Sequence, residues 1–255
     1  MNRSTVMLGT LLVGSLLAGS AQAALIRQYD SANYSGSTWT DSSTSAVNLT
    51  ATGGPTLVSN ATPSGQPAVN FSGSAFFTMA TAVGITSASQ FTILAVVEPN
   101  ALPNGSKSIV AGSGGSLQYR INGSLNQELL RAGQASYGTS STAVSSSFFD
   151  IVALTFDNVA GSSSFYLNNV SDGTATGTIA NGKSFGIVGA KDGGTSELFV
   201  GKIAAVYIYD TKLDSTELTA AYGNLYSTYI AVPEPASLAL LGLGGLVTLV
   251  RRRRA

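Results

Sequence analysis

From Leu25 to Asp210 the apolar positions come in short bursts, each closed by glycine, serine or asparagine. LIRQYD (25–30) opens the series, and QPAVNFSG around Phe71 and SAFFTMA around Phe77 follow. FTILAVVEP, Phe91 to Pro99, is almost continuously apolar and stops at proline, as a core strand of a sandwich does. KSIVAG (107–112), SLQYRING (116–123), FFDIVALTFD (148–157), SSFYLNN (163–169), KSFGIVG (183–189), SELFVG (196–201) and KIAAVYIYD (202–210) continue it. Many short strands at roughly ten-residue spacing predict a sandwich or barrel. Asn168 and Asn169 sit where a two-residue hairpin turn needs positive φ, which asparagine tolerates. One segment changes period. Asp214 and Glu217 stand three apart as a capping box, and Leu218, Ala221, Tyr222, Leu225 and Tyr229 then fall on one face of a helix. That stripe is expected to pack the helix on the sheet rather than to meet a ligand.

The two ends carry apolar runs of another kind. MNRSTVMLGTLLVGSLLAGSAQA has a basic start at Arg3, an apolar stretch from Val6 to Leu17, and small residues at Ala21 and Ala23. That layout predicts a secretory signal peptide over 1–23, cut after Ala23. At the other end Ala236 to Val250 carries no charge and would span roughly 22 Å as a helix, short of the ~30 Å of a bilayer core. Arg251, Arg252, Arg253 and Arg254 stop it, and arginines at such a boundary stay in the cytoplasm. Pro233 and Pro235 keep the backbone before it extended. The body between these ends, 24–230, is expected to be one domain, with 231–255 as a separate tail.

Composition narrows the chemistry. The whole chain has 13 basic and 13 acidic residues, but setting aside Arg3, the four terminal arginines and Glu234 leaves the body with 8 and 12, or about −4. No basic stripe survives, which argues against nucleic acid. There is no histidine and no cysteine, so His- and Cys-based triads and cysteine metal sites are excluded. Charged residues are 10% of the chain, against a usual ~25%. Serine, threonine, glycine, asparagine and alanine fill the gap, a composition shared by secreted β-proteins and disordered segments; the strand pattern decides for the former.

VPEP at Val232, Pro233, Glu234 and Pro235, then an Ala/Leu/Gly-rich run, then the arginine cluster, resembles the PEP-CTERM sorting signal of Gram-negative bacteria. The resemblance implies an exported precursor, carried by the export translocon and transiently inserted in the inner membrane. It also implies an exosortase that processes the tail at or near Pro-Glu-Pro, and a mature form at the cell surface or outside, in a bacterium that makes exopolysaccharide. FTILAVVEPN, FFDIVALTFDNVAGSSSFYLNNV and GIVGAKDGGTSELFVGKIAAVYIYDTKLDSTEL resemble, in order and spacing, the concanavalin A-like lectin/glucanase superfamily and most of all its laminin-G-like branch. TWTDSST around Trp39 resembles the segment near the start of such domains. The implied fold is all-β, a jelly-roll sandwich of two antiparallel sheets with one short C-terminal helix. Members often bind glycans or proteins, some with calcium.

Enzyme chemistry finds little support. A retaining glycosidase needs two carboxylates about 5–5.5 Å apart. The body's four glutamates, Glu98, Glu128, Glu197 and Glu217, have no acidic neighbour at strand spacing, and the Glu-x-Asp-x-x-Glu signature of the laminarinase-type relatives is absent. The expectation is therefore a non-enzyme that binds a glycan or surface protein in the exopolysaccharide layer. A purely structural matrix component and a divergent glycan hydrolase are the alternatives. Trp39, the only tryptophan, is the candidate to stack on a sugar, against the alternative that it packs inside. No cofactor is expected. Asp172 and Asp192 are candidates to hold calcium, against the alternative of solvated turn acids.

Overall fold

The computed structural model describes residues 23–100, 105–112, 117–131, 138–191 and 193–232. Ala21, Pro233, Glu234, Pro235, Asp192 and Arg251 to Arg254 lie outside the described residues, so what was expected of them is not addressed by the fold. The strands in chain order are β1 (Leu25–Ser35), β2 (Thr38–Asp41), β3 (Leu49–Thr52), β4 (Thr56–Val58), β5 (Ala68–Ser72), β6 (Phe76–Ile85), β7 (Gln90–Pro99) and β8 (Lys107–Ala111). There follow β9 (Leu117–Ile121), β10 (Asn126–Arg131), β11 (Gly138–Ala143), β12 (Asp150–Asp157), β13 (Ser162–Leu167), β14 (Val170–Thr176), β15 (Lys183–Val188) and β16 (Val200–Tyr209). Helix α1 (Ser215–Leu225) runs into one π-helical turn, Tyr226–Ile230.

Every pairing among these strands is antiparallel, and the ladder runs β11-β10-β9-β8-β15-β6-β3-β2-β1-β16-β7-β12-β13-β14. It folds back on itself to make the two layers of a jelly-roll sandwich. The long strand β1 turns the corner: its first half pairs with β16 and its second half with β2, which passes the ladder to β3 and β6. One layer, here the helix-side sheet, is β1-β16-β7-β12-β13-β14, with β5 and β4 added along the free part of β16. The other, the outer sheet, is β11-β10-β9-β8-β15-β6-β3. Phe91 of β7 and Phe185 of β15 meet edge to face across the gap, with ring centroids 5.2 Å apart. Phe71, Phe77 and Trp39 fill the end of the core near the corner.

The helix explains why β7 reads as one unbroken apolar run. Ile93, Ala95 and Val97 point into the inter-sheet core, whereas Leu94 and Val96 belong to a second cluster with Ile151, Leu218, Ala221, Leu225 and Tyr229. The strand is covered on both faces, so neither parity can be polar. The Asp214 side chain accepts from the backbone N–H groups of Thr216 and Glu217, and Glu217 bonds back to the Asp214 N–H, completing the capping box. Asp30 of β1 then pins the last turn. Its Oδ1 accepts from the hydroxyls of Tyr229 and Tyr207, each at 2.7 Å. Asn168 and Asn169 have φ of 50° and 65° and close the β13–β14 hairpin as their positions required.

Two stretches depart from the pattern. SELFVG was expected to be a strand over 196–201, yet only Val200 and Gly201 join β16, and the rest forms a loop. Glu197 sits at φ 45°, a left-handed conformation that a strand cannot contain. Gly201 carries the strand onward without a break: it has φ 132°, and a Cβ there would lie 2.3 Å from the Glu98 carbonyl oxygen. Only glycine lets β16 come this close to β7.

Candidate functional site

Trp39, a candidate sugar contact with inward packing as the alternative, is fully buried. Its indole N–H donates to the Asp30 carbonyl at 2.7 Å and its ring leans on Phe77 and Tyr29. The reason is its parity on β2: Trp39 faces the core opposite Leu49, while Asp41 two residues on ties the corner by accepting from the N–H groups of Gln28, Ser43 and Val47. Asp172, expected in a loop, lies in β14 and is 6% exposed. Its Oδ1 accepts from the Thr142 N–H at 2.9 Å, clasping β14 to β11 where the two ends of the ladder meet, and its Oδ2 has no partner. Calcium takes six to eight oxygens, and among the described residues no group of three or more acidic side chains surrounds this position. The Asp172 charge adds to burial in pushing the Tyr119 hydroxyl well up.

A different constellation emerges on the outward face of the outer sheet. On β9, Leu117, Tyr119 and Ile121 point into the core, so Gln118 and Arg120 point out. Glu128 of β10 is the direct cross-strand partner of Arg120. Arg120 Nε and Nη2 both donate to Glu128 Oε2, at 2.8 and 2.7 Å. On its other side Nη1 donates to Glu197 Oε1 and Oε2 at 3.1 and 2.9 Å. Asn122 donates to Glu128 Oε1 at 2.7 Å, Lys191 lies 3.3 Å from Glu197 Oε1, and the Gln118 amide donates to both Glu197 and the Ser108 hydroxyl. One guanidinium is thus clamped between two carboxylates from distant parts of the chain.

The loop between β15 and β16 brings Glu197 there. Ser108 N–H donates to the Glu197 carbonyl at 2.9 Å, and Lys191 N–H to the Ser196 carbonyl at 2.9 Å. Gly194 (φ 91°) lies flat on the Phe76 ring, where a Cβ would approach to 2.1 Å. Glutamate at positive φ is uncommon and costs of order 1–3 kcal/mol, so side-chain and backbone bonds together hold it. Burial pushes the Glu197 carboxyl up, but the Gln118 amide, the Arg120 guanidinium and the Lys191 ammonium outweigh it and hold it below its ordinary value of 4.5. Burial likewise lowers Arg120, and hydrogen bonds and charge from Glu128 and Glu197 more than reverse that. Arg120 and Glu128 side chains are each 11% exposed, while Lys191 and Glu197 keep 19% and 23%, so the cluster opens to solvent at the loop end.

Chemically the cluster offers planar amide, carboxylate and guanidinium groups, with Arg120 and Lys191 facing Glu128 and Glu197 among the described residues. Surface clefts lie elsewhere among the described residues. One of about 340 Å³ is bounded by Ile26, Gly84, Thr86, Ser89 and Asp210, and one of about 500 Å³ by Leu125, Val144, Phe148 and Leu167. Lys202 pairs with Glu98 at 2.6 Å on the helix side and stands over the Phe149 ring, a packing role beside α1. No described helix is long and apolar enough to cross a membrane.

A two-layer antiparallel sandwich ending in a capped helix is the architecture of the concanavalin A-like lectin/glucanase superfamily, whose laminin-G-type family model matches residues 71–219. The chain belongs to that superfamily. The PEP-CTERM protein-sorting motif matches residues 231–254 and marks an exported protein of Gram-negative bacteria. No curated protein sequence matches. Among solved structures, the binding domain of Paraclostridial Mosquitocidal Protein 1 is similar at 12% identity and TM-score 0.62, over 80% of this chain and 52% of that one. Domain 4 of AbnA, a GH43 extracellular arabinanase from Geobacillus stearothermophilus solved with arabinotriose, is similar at 17% identity and TM-score 0.58, over 78% of this chain and 98% of that one. Trypanosoma rangeli sialidase in complex with sialic acid is similar at 15% identity and TM-score 0.58, over 78% of this chain but only 32% of the sialidase. At these identities the likeness is one of fold. The chain spans about half of the mosquitocidal binding domain and about a third of the sialidase.

Proposed function

We propose that the domain is a non-catalytic, lectin-like module that binds a glycan outside the cell, and that the Arg120 cluster on the outer sheet is where it does so. The carrying observation is that Arg120, Glu128, Glu197, Gln118 and Lys191 converge from β9, β10 and the β15–β16 loop, with Gln118 fully buried and the others largely so. Convergent polar groups fixed by their neighbours are what a site for a hydroxyl-rich ligand requires. Among the described residues each cation of the cluster already faces a carboxylate, which favours a neutral glycan over an acidic one. The arabinotriose held by the AbnA domain is a precedent for sugar binding on this fold. In the same reading an exosortase processes the tail near Pro233–Pro235, and the domain stays outside, in the exopolysaccharide layer.

Acid–base catalysis at the cluster is disfavoured by its own electrostatics. A glycosidase acid must keep its proton near neutrality, which calls for a raised pKa. Arg120 instead holds Glu197 ionised and occupies the space between the two carboxylates. The test is a panel of neutral and acidic oligosaccharides presented to the secreted protein and to Lys191→Gln, which alters the most open edge. Binding of neutral members, weakened roughly tenfold or more by the substitution, supports the proposal. No binding, or binding indifferent to Lys191, refutes this site, and release of reducing sugar from any member refutes the non-catalytic reading.

A further inference from the structure

Ala24, just before β1, pairs with Asp210 through its backbone. Its N–H donates to Asp210 Oδ1 at 3.0 Å, and the Asp210 N–H donates back to the Ala24 carbonyl at 3.1 Å. Asp210 follows β16 directly and leads through Leu213 into the capped helix, while Ala24 precedes β1. This reciprocal pair therefore closes the last rung between the first and last strands, next to Leu25 and Tyr209. The nitrogen facing the carboxylate is the one that a cut after Ala23 would free.

We propose that removal of residues 1–23 turns this neutral hydrogen bond into a salt bridge between a new α-ammonium on Ala24 and Asp210, so that leader removal fastens β1 to the β16–α1 connection. Hydrolysis of the Ala23–Ala24 peptide bond consumes one water. The acyl carbon of Ala23 takes the hydroxyl and becomes a carboxylate, and the Ala24 nitrogen, now a primary amine, takes the remaining hydrogen and the acid's proton. An α-amino group has an ordinary pKa near 8 and is charged at neutral pH. The donor that already points at Asp210 Oδ1 thereby gains a full positive charge without moving, and a charge-assisted bond replaces a neutral one. The precursor lacks this pair because its Ala24 nitrogen is an amide. Glu217 and Tyr209 line the same corner beside Ala23, and neither replaces Asp210 as the acceptor of the Ala24 N–H.

The inference rests on the export reading, and the test separates the two. Intact-mass spectrometry of the protein secreted by its producing cell is expected to give Ala24 as the first residue; any other start overturns the export boundary and this inference with it. With that start established, the α-amine is acetylated selectively on the secreted protein and on its Asp210→Asn variant, and urea unfolding is measured for all four forms. Acetylation should lower the folded-to-unfolded ratio of the natural protein by up to about fivefold, the range of an exposed ion pair, and leave the variant unchanged. Equal losses in both, or none in the natural protein, overturn the pairing while leaving the export boundary intact.

Discussion

Replacing Arg120 by methionine removes the cation from between Glu128 and Glu197 and leaves the stem of the side chain in place. Each carboxylate then loses two charge-assisted contacts, at 2.7 and 2.8 Å on one side and 2.9 and 3.1 Å on the other. Breaking a fully buried pair costs about 3–5 kcal/mol. These side chains keep 11 to 23% of their exposure, and solvent screening brings the expected loss down to about 2–3 kcal/mol. In urea at neutral pH, with an m value of about 2–3 kcal/mol/M, the midpoint should fall by about 1 M. The pH dependence carries a sign. Glu197 is held below its ordinary 4.5 in the folded protein, so its contribution is complete above that value and is lost as pH falls through the folded one. The deficit of Arg120→Met should therefore be largest at neutral pH and shrink below about pH 4. Adding Glu197→Gln should restore part of the loss, because the repelling charge is gone. A deficit under about 0.5 kcal/mol, or one that ignores both pH and Glu197→Gln, would refute the clamp.

The helix anchor is tested by Tyr229→Phe, which deletes one hydroxyl from Asp30 and should cost about 1.5–3 kcal/mol, read by denaturant unfolding. Alkaline titration probes the buried tyrosines together. Burial raises the hydroxyls of Tyr29, Tyr119, Tyr207 and Tyr229 above their ordinary 10.0, with Asp30 adding to the last two. Unfolded tyrosine therefore loses its proton first, and stability should be full below pH ~10 and fall steadily above it. A flat profile to pH 11 by circular dichroism contradicts this burial. Gly201→Ala should destabilise by more than the ~1 kcal/mol of a helix propensity change, since its Cβ meets the Glu98 carbonyl; a thermal melt within a degree of the natural protein would show that β16 can shift.

Much of the sandwich was legible because burial writes itself into strand parity. β7, β12 and β16 were visible as apolar runs, the Asn168-Asn169 turn as paired positive-φ residues, and the helix as a capping box followed by a stripe. Strands β2, β3, β4, β10 and β11 were not expected, because they are short or polar and are stitched in by neighbours rather than by their own apolar residues. The Arg120 cluster was hidden for a related reason. A search for acids two or four apart on one strand sees neither Glu128, which meets Arg120 across a hairpin, nor Glu197, which arrives from 77 residues away. The hairpin half was recoverable: Arg120 and Glu128 lie four residues either side of Ser124, the centre of the 122–126 connection, and opposite charges facing across a ladder are favoured. The loop half was not, because Glu197 depends on a left-handed backbone that reads locally as the start of a strand.

Trp39 teaches the converse. An aromatic that suits a sugar face also suits a core, and the register of β2 with β3 decides between them. What the outer sheet presents instead is a locked lattice of ion-paired and hydrogen-bonding groups, and that lattice is the basis for reading the domain as a glycan binder. Isothermal titration of the secreted protein with the neutral oligosaccharides of its own extracellular polysaccharide tests this most directly. Saturable binding by the natural protein, lost in a Glu128→Gln variant that retains its far-UV spectrum, is the predicted result. Saturable binding that survives intact in that variant, or no heat with any neutral fraction, would contradict the account.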